Sequence, residues 1–350
     1  MNRPLDQTPL LRPPLAAGDI APVCVLPALD GGIIDLRGDD IAGNPVVILF
    51  CPKFAPAVDE VVAGVSAARD TLAALGARLF AITLEPARAA AARNLPLPVL
   101  RDRDGEVFRA FNANTRDQPT IVVLRPNQHV LAIVKSPPQA QAAEALALVE
   151  RLAAERRPVA MAPHPPVLVV PDVLSAADCR RLVTVYETRG QTFMPPGEGI
   201  DYIGTDYKMR IPEYGRGDRI DHWIVDQDTE TLLRQRLELR LIPEIAKAFQ
   251  YRITRWERMR IGCYEGQRGG ELHGHRDDVE PTPYRRFAMS INLNLDEFAG
   301  GELRFPEFGD QRYRPENGAA IVFSSSLLHE ALHVVSGRRL VLLAFLFGDR

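Results

Sequence analysis

The chain is poor in cysteine and lacks long apolar runs, and each absence argues against a class of protein. Its 350 residues include 4 cysteines: Cys24, Cys51, Cys179 and Cys263. They lie far apart and form no C-x-x-C pair, which argues against a disulfide framework and a zinc cluster. No stretch approaches the roughly 18 consecutive apolar residues that a membrane span needs. The first residues are proline-rich without an apolar signal core, so we expect a cytoplasmic protein with no membrane partner.

A strong excess of charge of one sign is also missing. The chain carries 42 basic and 45 acidic residues, a formal net charge of −3. Proteins that bind nucleic acid through its phosphates usually show a basic excess, so no nucleic-acid partner is expected. The length predicts two to three domains, each large enough to bury a core. The oligomeric state stays open, and a homodimer is compatible with the sequence.

The first half of the chain alternates apolar strands with alanine-rich helices. Residues 45–50 form an uninterrupted apolar run, which is typical of a strand buried on both faces. The pattern then predicts a helix over 58–75, a strand over 77–83, a helical segment over 85–94 and a strand over 120–124. This βαβαβ order predicts an α/β sheet.

Motifs in this half resemble the thioredoxin-like fold, and especially the peroxiredoxins, over about residues 16–150. They are Gly18-Asp19-Ile20-Ala21-Pro22, Phe50-Cys51-Pro52, Asp102-Arg103-Asp104-Gly105 and Gln118-Pro119-Thr120. The resemblance implies a cis peptide bond before Pro119. It also implies a threonine and a reactive cysteine after Pro52, where this chain has Pro56 and Asp59. We therefore expect a redox-inactive domain in which Cys51 is a small buried residue, serving assembly, stability or substrate docking.

The second half contains a pattern of histidine, carboxylate and arginine that suits a metal site. His275 and Asp277 are two residues apart, His329 follows further on, and Arg339 comes ten residues after it. Alternate residues of a strand project from one face, so His275 and Asp277 can reach one ion. Two imidazoles and one carboxylate are the ligand set of non-haem Fe(II) oxygenases. Arg339 would then hold a dicarboxylate co-substrate.

Short predicted strands surround this pattern. Strand-like runs punctuated by Gly, Pro and Asn predict a sandwich or barrel, and such a fold can bring the four residues together from separate places. The predicted strands cover residues 258–264, 287–294, 302–305, 318–323 and 338–347.

From about Pro166 onward the chain resembles the prolyl-4-hydroxylase-like branch of the Fe(II)/2-oxoglutarate dioxygenases. The motifs, in family order, are Cys263-Tyr264, Gly269-Gly270, His275-Arg276-Asp277, Asn292-Leu293-Asn294, Gly300-Gly301-Glu302-Leu303-Arg304-Phe305-Pro306, Leu328-His329-Glu330 and Gly337-Arg338-Arg339. The resemblance implies a double-stranded β-helix (jelly roll) with flanking helices. It implies that His275, Asp277 and His329 are the iron ligands and catalytic centre. Arg339 matches the residue that pairs with the distal carboxylate of 2-oxoglutarate, and Tyr264 and Asn292 match frequent co-substrate contacts.

By this resemblance the cofactors are Fe(II) and 2-oxoglutarate, with O2 as the second co-substrate and L-ascorbate as a further cofactor. The implied reaction hydroxylates a C–H bond of a peptide or protein residue, or of a small metabolite, and releases succinate and CO2. One alternative is a thiol-dependent peroxidase with an appended jelly-roll binding domain, which the residues at 56 and 59 oppose. Another is a non-catalytic jelly-roll binding module, which the complete ligand set opposes.

Several local assignments stay open in the second half. His273 precedes His275 by two residues, so His273 and His275 form a rival ligand pair, although a rim position is favoured for His273. His333 is assigned to the rim, and Arg338 is expected to point away from Arg339. The segment 190–228 is expected to form a lid. Its candidate substrate contacts are Tyr207, Lys208, Arg210, Arg219 and His222.

These features predict four segments. Residues 1–15 are expected to be a flexible tail, and residues 16–156 a thioredoxin/peroxiredoxin-like domain closed by a helix over 139–156. Residues 157–166 form a Pro-rich linker, and residues 167–350 the dioxygenase domain. Within the last domain, Ser175 and Asp178 predict a helix start, and a helical pattern over 228–249 is broken at Pro243.

Overall fold

The structure, a computed structural model, describes residues 3–4, 14–92, 95–113, 118–155, 164–194, 205–213, 217–268 and 270–348. Contacts divide the chain into two compact units, Leu11–Val159 on one side and Met1–Leu10 with Ala160–Arg350 on the other. Most of the expected tail and linker, Gly269, and residues 195–204 and 214–216 of the expected lid lie outside the described residues.

The first unit is a five-stranded sheet with helices. Strand β1 (Arg3–Pro4) precedes it in the chain but belongs to the second unit. The sheet order is β6-β5-β4-β7-β8, with β4, β5 and β6 parallel and β7 and β8 antiparallel to their neighbours, while β2 and β3 form a separate hairpin. The elements are β2 (Val25–Pro27), β3 (Ile33–Asp35), β4 (Val46–Cys51), α1 (Pro56–Ala74), β5 (Arg78–Thr83), α2 (Ala87–Ala92), β6 (Val99–Arg101), α3 (Glu106–Ala110), β7 (Thr120–Leu124), β8 (Val130–Val134) and α4 (Pro138–Glu155).

Strand β4 is buried on both faces, as its uninterrupted apolar sequence predicts. Val47, Leu49 and Cys51 pack in a cluster with residues of α1 and α4. The alternate residues Val46, Ile48 and Phe50 pack in a second cluster with Val107, Phe108 and Phe111 around α3. Because strand side chains alternate, one six-residue run fills two cores, and β4 therefore lies at the centre of the sheet.

The sequence-based elements of this unit agree with the structure, with one error. Strands expected over 45–50, 77–83 and 120–124 are β4, β5 and β7, and the helices expected over 58–75 and 139–156 are α1 and α4. The cis bond expected before Pro119 was wrong. Among the described residues the cis bond joins Glu280 to Pro281, and the Pro119 carbonyl instead accepts a hydrogen bond from Gln141 Nε2.

Cys51 is a core residue of this unit. It ends β4 with no exposed surface. Burial, and to a lesser degree the charge of Asp59, raises the pKa of its thiol to about 12. A thiolate is the reactive form of cysteine, so this thiol is chemically quiet near neutral pH. Pro56 stands at the start of α1, where its missing N–H costs nothing.

We predict that Cys51→Ala leaves peroxide consumption unchanged, because the buried thiol is protonated. Folding raises the pKa of Cys51 from its ordinary value of 9.0 to about 12, so its contribution to stability is complete below pH 9.0 and declines as the pH rises toward 12. The free energy of unfolding, measured with urea at several pH values, should decline over this range in the wild type and decline less in the variant. Rapid stoichiometric peroxide reduction that disappears in the variant would contradict the prediction.

The described part of the second unit contains two sheets and three α-helices. The larger sheet follows the path β10-β11-β12-β14-β22-β16-β20-β9, with β1, β13 and β17 attached at its sides; the smaller has the order β15-β21-β18-β19. The elements are β9 (Leu168–Val170), α5 (Ala176–Thr188), β10 (Phe193–Met194), β11 (Tyr207–Glu213), β12 (Gly217–Trp223), α6 (Gln227–Arg236), α7 (Ile242–Phe249), β13 (Arg255–Trp256), β14 (Arg260–Glu265), β15 (Leu272–His275), β16 (Phe287–Asn292), β17 (Phe298–Gly300), β18 (Leu303–Arg304), β19 (Arg312–Tyr313), β20 (Ala320–Ser324), β21 (His329–Ala331) and β22 (Val334–Phe347).

The larger sheet has a different partner on each face. Leu340, Leu342 and Leu346 of β22 pack in a cluster with residues of α5, α6 and α7. The intervening Val341 and Phe345 pack in another cluster with residues of the smaller sheet, such as Leu303 and Ala331. One face is therefore covered by helices and the other by the smaller sheet, and this second face carries the candidate site.

Two helix boundaries follow the sequence signals. Ser175 Oγ accepts from Asp178 N (3.1 Å) while Asp178 Oδ2 accepts from Ser175 N (3.0 Å), so α5 begins with the predicted capping box. A π-helical turn over Leu237–Leu241 separates α6 from α7, and Pro243 lies in the first turn of α7. Proline lacks an N–H, so the regular hydrogen-bond ladder cannot continue through it.

The expectation of a lid over 190–228 was wrong for its described part. Residues 207–213 and 217–223 form β11 and β12 of the larger sheet. Tyr207 is fully buried and stacks on Trp223, and His222 is fully buried with Nε2 3.0 Å from Asp206 Oδ2. The register places Tyr207 on the same face as Trp223 and Arg219, and His222 on the opposite face. Neither Tyr207 nor His222 lines the cavity, whereas Arg219 does.

Candidate metal centre

Two histidines meet across the smaller sheet. β15 ends at His275 and β21 begins at His329, and the antiparallel register places them directly opposite each other. Their ring centroids are 4.3 Å apart. Cross-strand neighbours on one face are within contact distance of each other, so two histidines distant in sequence form one pair.

Asp277 joins this pair from a turn and not from the strand. β15 stops at His275, and the Asp277 backbone N–H donates to the Ser325 carbonyl (2.9 Å), which folds the turn back towards β20. Asp277 Oδ1 lies 3.4 Å from His275 Nε2, and Oδ2 lies 3.3 Å from His329 Nε2. One ligand atom of each residue lies within 4.8 Å of the others.

The orientation of both imidazoles is fixed by backbone carbonyls. His275 Nδ1 donates to the His273 carbonyl (2.8 Å) and His329 Nδ1 donates to the Leu327 carbonyl (3.0 Å). A carbonyl can only accept, so each Nδ1 carries the proton and the neutral ring presents its Nε2 lone pair to Asp277. Lone pairs facing carboxylate oxygens repel unless a cation lies between them. This arrangement fits a metal ion and uses the carbonyl support usual for ligating histidines.

The protonation states also suit metal binding. Burial lowers the pKa of His329 despite the neighbouring Asp277 carboxylate. Burial opposes ionisation of Asp277, but the neighbouring rings of His275 and His329 lower its pKa below the usual range. A neutral imidazole and an ionised carboxylate are the forms that ligate a metal.

A cavity of about 260 Å³ opens beside the three residues and contains Arg339. Arg339 is 3% exposed, and its Nε donates to Asn292 Oδ1 (3.1 Å). Its guanidinium lies over the Tyr264 ring, 5.4 Å from the centroid. Among the described residues, no carboxylate forms an ion pair with Arg339. A buried guanidinium without such a partner fits an anionic ligand.

Tyr264 and Asn292 occupy different positions relative to the cavity. Tyr264 lines it, and its hydroxyl accepts from Arg219 Nη1 (3.3 Å). Asn292 lies behind Arg339; its Oδ1 accepts from Arg339 and its Nδ2 donates to the Pro315 carbonyl (3.0 Å). The geometry therefore makes Tyr264 a wall of the cavity and Asn292 a support for Arg339.

A glycine makes room for the arginine. Gly301 has φ +70°, and a Cβ there would lie 2.9 Å from Arg339 Cδ and 3.0 Å from Val334 Cγ2. Both the left-handed backbone and the close approach require glycine. The packing of Arg339 beside the cavity therefore explains the second glycine of the Gly300-Gly301 motif.

The rival residues lie away from the cluster. The His273 side chain is half-exposed and 3.6 Å from Glu271, and only its carbonyl contacts His275. His333 is exposed. Arg338 points to the opposite face, where Nη2 lies 2.6 Å from Glu187 Oε1 of α5.

A polar network lies on the cavity wall, and of its members the sequence analysis named only Arg219 as a candidate substrate contact. Asp221 binds Arg219 through two hydrogen bonds (2.7 and 3.0 Å), and Arg260 Nε lies 2.9 Å from its Oδ2. Glu257 binds Arg285 through two more (2.6 and 2.7 Å). Nothing in the spacing of the other charged residues indicates which of them face a cavity.

The fold and this cluster define a two-domain protein whose second domain has the ligand set of a non-haem iron oxygenase. Comparison with family models agrees. Residues 17–133 match the AhpC/TSA family, and residues 259–347 match the 2OG-Fe(II) oxygenase superfamily. The first domain is thus thioredoxin-like. The match of the second domain supports a dioxygenase-type oxidoreductase function, and the matched superfamily implies Fe(II), 2-oxoglutarate and O2. No finding supports L-ascorbate.

Solved structures resemble parts of the chain. The peroxidoxin BcpB of Mycobacterium tuberculosis is 22% identical, with 39% of this chain and 97% of that one covered and a TM-score of 0.35. Peroxiredoxin Q of Xanthomonas campestris is 19% identical, with 39% and 99% covered and a TM-score of 0.34. A 2OG-Fe(II) oxygenase family oxidoreductase of Burkholderia pseudomallei is 17% identical, with 52% and 85% covered and a TM-score of 0.40.

Two negative findings complete the comparison. No curated protein matches the chain. Within the described ranges, none of the helices has both the length and the apolarity that crossing a bilayer requires.

We predict that the protein binds one Fe(II) or Mn(II) ion and that His329→Ala abolishes this binding, because a facial site cannot hold the metal with two ligands. The metal content of each protein after anaerobic loading and desalting measures this binding. His273→Ala and His333→Ala are matched controls that remove a histidine outside the cluster, and both should bind like the wild type. Loss of binding in His273→Ala with retention in His329→Ala would overturn this ligand set.

Proposed function

We propose that the protein is an Fe(II)- and 2-oxoglutarate-dependent dioxygenase of the prolyl-4-hydroxylase-like type, which hydroxylates a C–H bond of its substrate. The observation that carries the proposal is the buried guanidinium of Arg339, which pairs with no carboxylate of the described residues and lines one cavity with His275, Asp277 and His329. In this proposal the three clustered residues hold the iron, and the second unit, from about residue 167 to 350, is a jelly-roll domain.

Each residue of the site has a role that suits this reaction. Bound iron supplies the activation of O2; one oxygen atom enters succinate, which forms with CO2, and the other enters the hydroxylated product. Arg339 would bind the distal carboxylate of 2-oxoglutarate, with Asn292 holding its Nε and Tyr264 lying against its face. Burial of Arg339 and Asp277 would strengthen these charge interactions, because the surrounding dielectric constant is lower than that of water.

The finer assignments belong to the same proposal. The substrate is a peptide or protein residue or a small metabolite. The segments 1–15, 16–156, 157–166 and 167–350 are proposed as tail, thioredoxin-like domain, linker and dioxygenase domain, although Arg3–Pro4 pair with Arg255–Trp256. A cytoplasmic location is proposed because Fe(II) must stay reduced, and the four cysteines are all free and buried.

We predict that Arg339→Gln weakens 2-oxoglutarate binding by about 2–5 kcal/mol, the loss expected when one partner of a buried charge pair is removed. Titration of anaerobic Fe(II) protein, followed by the visible charge-transfer absorption of the chelated 2-oxo acid, gives the affinity.

Arg338→Gln is the matched control, since it removes the same charge one residue away on the opposite face and should leave the affinity unchanged. Equal affinities for the two variants would refute the role of Arg339. Absence of the absorption in the wild type would refute the proposed function itself.

We further predict an oxygenated and never a chlorinated product, even in high chloride. The Asp277 carboxylate occupies the position that a chloride ion would need and adds negative charge beside it. Mass spectrometry of products formed in chloride-rich buffer provides the measurement. Asp277→Gly should lose most turnover because one anionic ligand is removed; near wild-type turnover in this variant would show that the carboxylate is no ligand.

A further inference from the structure

The cavity contains a second buried guanidinium, and among the described residues its one carboxylate partner, Asp221, is shared with Arg219. Arg260, at the start of β14, is 7% exposed and lines the cavity. Among the described residues, its two terminal nitrogens contact no acceptor, and its Nε–H is not aligned with a hydrogen-bond acceptor although Asp221 Oδ2 is 2.9 Å away. The rings of Trp223 and Phe345 lie 5.1 and 5.0 Å from it. The aromatic rings hold the guanidinium in place, while its donors stay available.

The charges around Arg260 leave one cation in excess. Asp221 already accepts two hydrogen bonds from Arg219, so a single carboxylate serves two guanidiniums. Arg285 and Glu257 form a separate bidentate pair that is neutral on its own. Arginine stays protonated in proteins, and a buried charge is costly unless it is paired. The excess positive charge beside the cavity therefore favours an anionic occupant.

Arg260 and Arg339 project from different positions along the cavity wall. In the β14–β22 register Tyr264 pairs with Arg339 and Arg260 pairs with Leu343. Four residues along a strand correspond to roughly 13 Å. Arg285 Nη1 lies 3.4 Å from the Asp277 carbonyl oxygen, and its guanidinium lies 3.6 Å from the centroid of the Phe345 ring that Arg260 also contacts. Arg260 thus stands at the Asp277 end of the cavity.

Gly262, which has no side chain, leaves space for the charged residues beside β14. It lies between Arg260 and Tyr264 on the same face of β14, and a Cβ there would meet Leu343 Cδ1 at 3.1 Å, Asp221 Oδ1 at 3.4 Å and Arg219 Cδ at 3.5 Å. The absent side chain gives the Arg219–Asp221 pair room to cross β14. The two guanidiniums at 260 and 339 are therefore separated by a wall of Tyr264 and the ion pair.

We propose that Arg260 binds an anionic oxygen group of the primary substrate, a carboxylate or a phosphate, and thereby places the substrate at the Asp277 end of the cavity. This inference rests on the proposed function, because it takes the Arg339 end to hold 2-oxoglutarate. It narrows the substrate class to acids, namely carboxylates or phosphate esters, and excludes neutral compounds.

Trp223 offers a direct reporter for this site. The chain has 2 tryptophans, so Trp256→Phe leaves Trp223, next to Arg260, as the single emitter. In this background, with Arg339→Gln added to remove the other anion site, inorganic phosphate and acetate are titrated separately. We expect a saturable fluorescence change for at least one of them, with the dissociation constant raised roughly tenfold or more by Arg260→Gln and less by Arg260→Lys.

Two controls separate binding from misfolding. Arg258→Gln removes the same charge two residues away, at a position that does not line the cavity, and should leave the titration unchanged. In protein that keeps Arg339, Arg260→Gln should bind 2-oxoglutarate with wild-type affinity. Equal anion binding with and without Arg260, or no saturable change for either anion, would overturn the proposal. Arg260-dependent binding without any 2-oxoglutarate binding would uphold the anion site and refute the dioxygenase.

A turnover experiment distinguishes the two anion sources. Carboxylic acids with their amides, and phosphate monoesters with their parent alcohols, are compared for stimulation of succinate formation by wild-type protein. We expect only the charged member of a pair to stimulate, and Arg260→Gln to abolish the preference. Stimulation by a neutral member as strong as that by its acid would contradict the assignment.

Discussion

The alternation of side chains along β22 is the constraint on which the second unit depends. Leu340, Leu342 and Leu346 face the helices, and Arg339, Val341 and Phe345 face the smaller sheet. A shift of one residue would move the leucines into the cavity and the guanidinium into the apolar core. The hydrophobic pattern of this strand therefore fixes the register that also places Arg339. The opposite orientation of Arg338, paired with Glu187, follows from the same alternation.

Prediction from the sequence succeeded where a residue or short motif has a single structural consequence. The apolar run of β4, the capping pair Ser175 and Asp178, and the proline at 243 each imply their local structure, and the structure has it. The histidines were recognisable because few positions combine them with a carboxylate at such spacing. Short strands such as β6 and β8 were not predicted, since three to five residues carry too little periodicity to be distinguished from loops.

The remaining errors arise from tertiary contacts that no local pattern encodes. Asp277 was expected on a strand beside His275, but a hydrogen bond to Ser325 ends the strand and brings the carboxylate in from a turn. Tyr207 and His222 were expected at a lid because they are polar residues in a stretch without clear period. They lie instead in β11 and β12, where Tyr207 stacks on Trp223 and His222 Nε2 lies 3.0 Å from Asp206 Oδ2. The role of Asn292 behind Arg339 likewise depends on the register between β16 and β22.

Charge balance links the two proposals on the cavity. Four guanidiniums, those of Arg219, Arg260, Arg285 and Arg339, stand near three carboxylates, those of Asp221, Glu257 and Asp277. The protein alone thus leaves one positive charge. A divalent metal adds two positive charges and a 2-oxoglutarate dianion removes them again, so the excess of one persists after the co-substrate has bound. In a buried site such an excess is relieved by a further anion or by water. Because Arg260 lines the cavity and shares its carboxylate partner with Arg219, a substrate that carries its own anionic group would complete the balance, whereas a neutral substrate would leave the charge uncompensated.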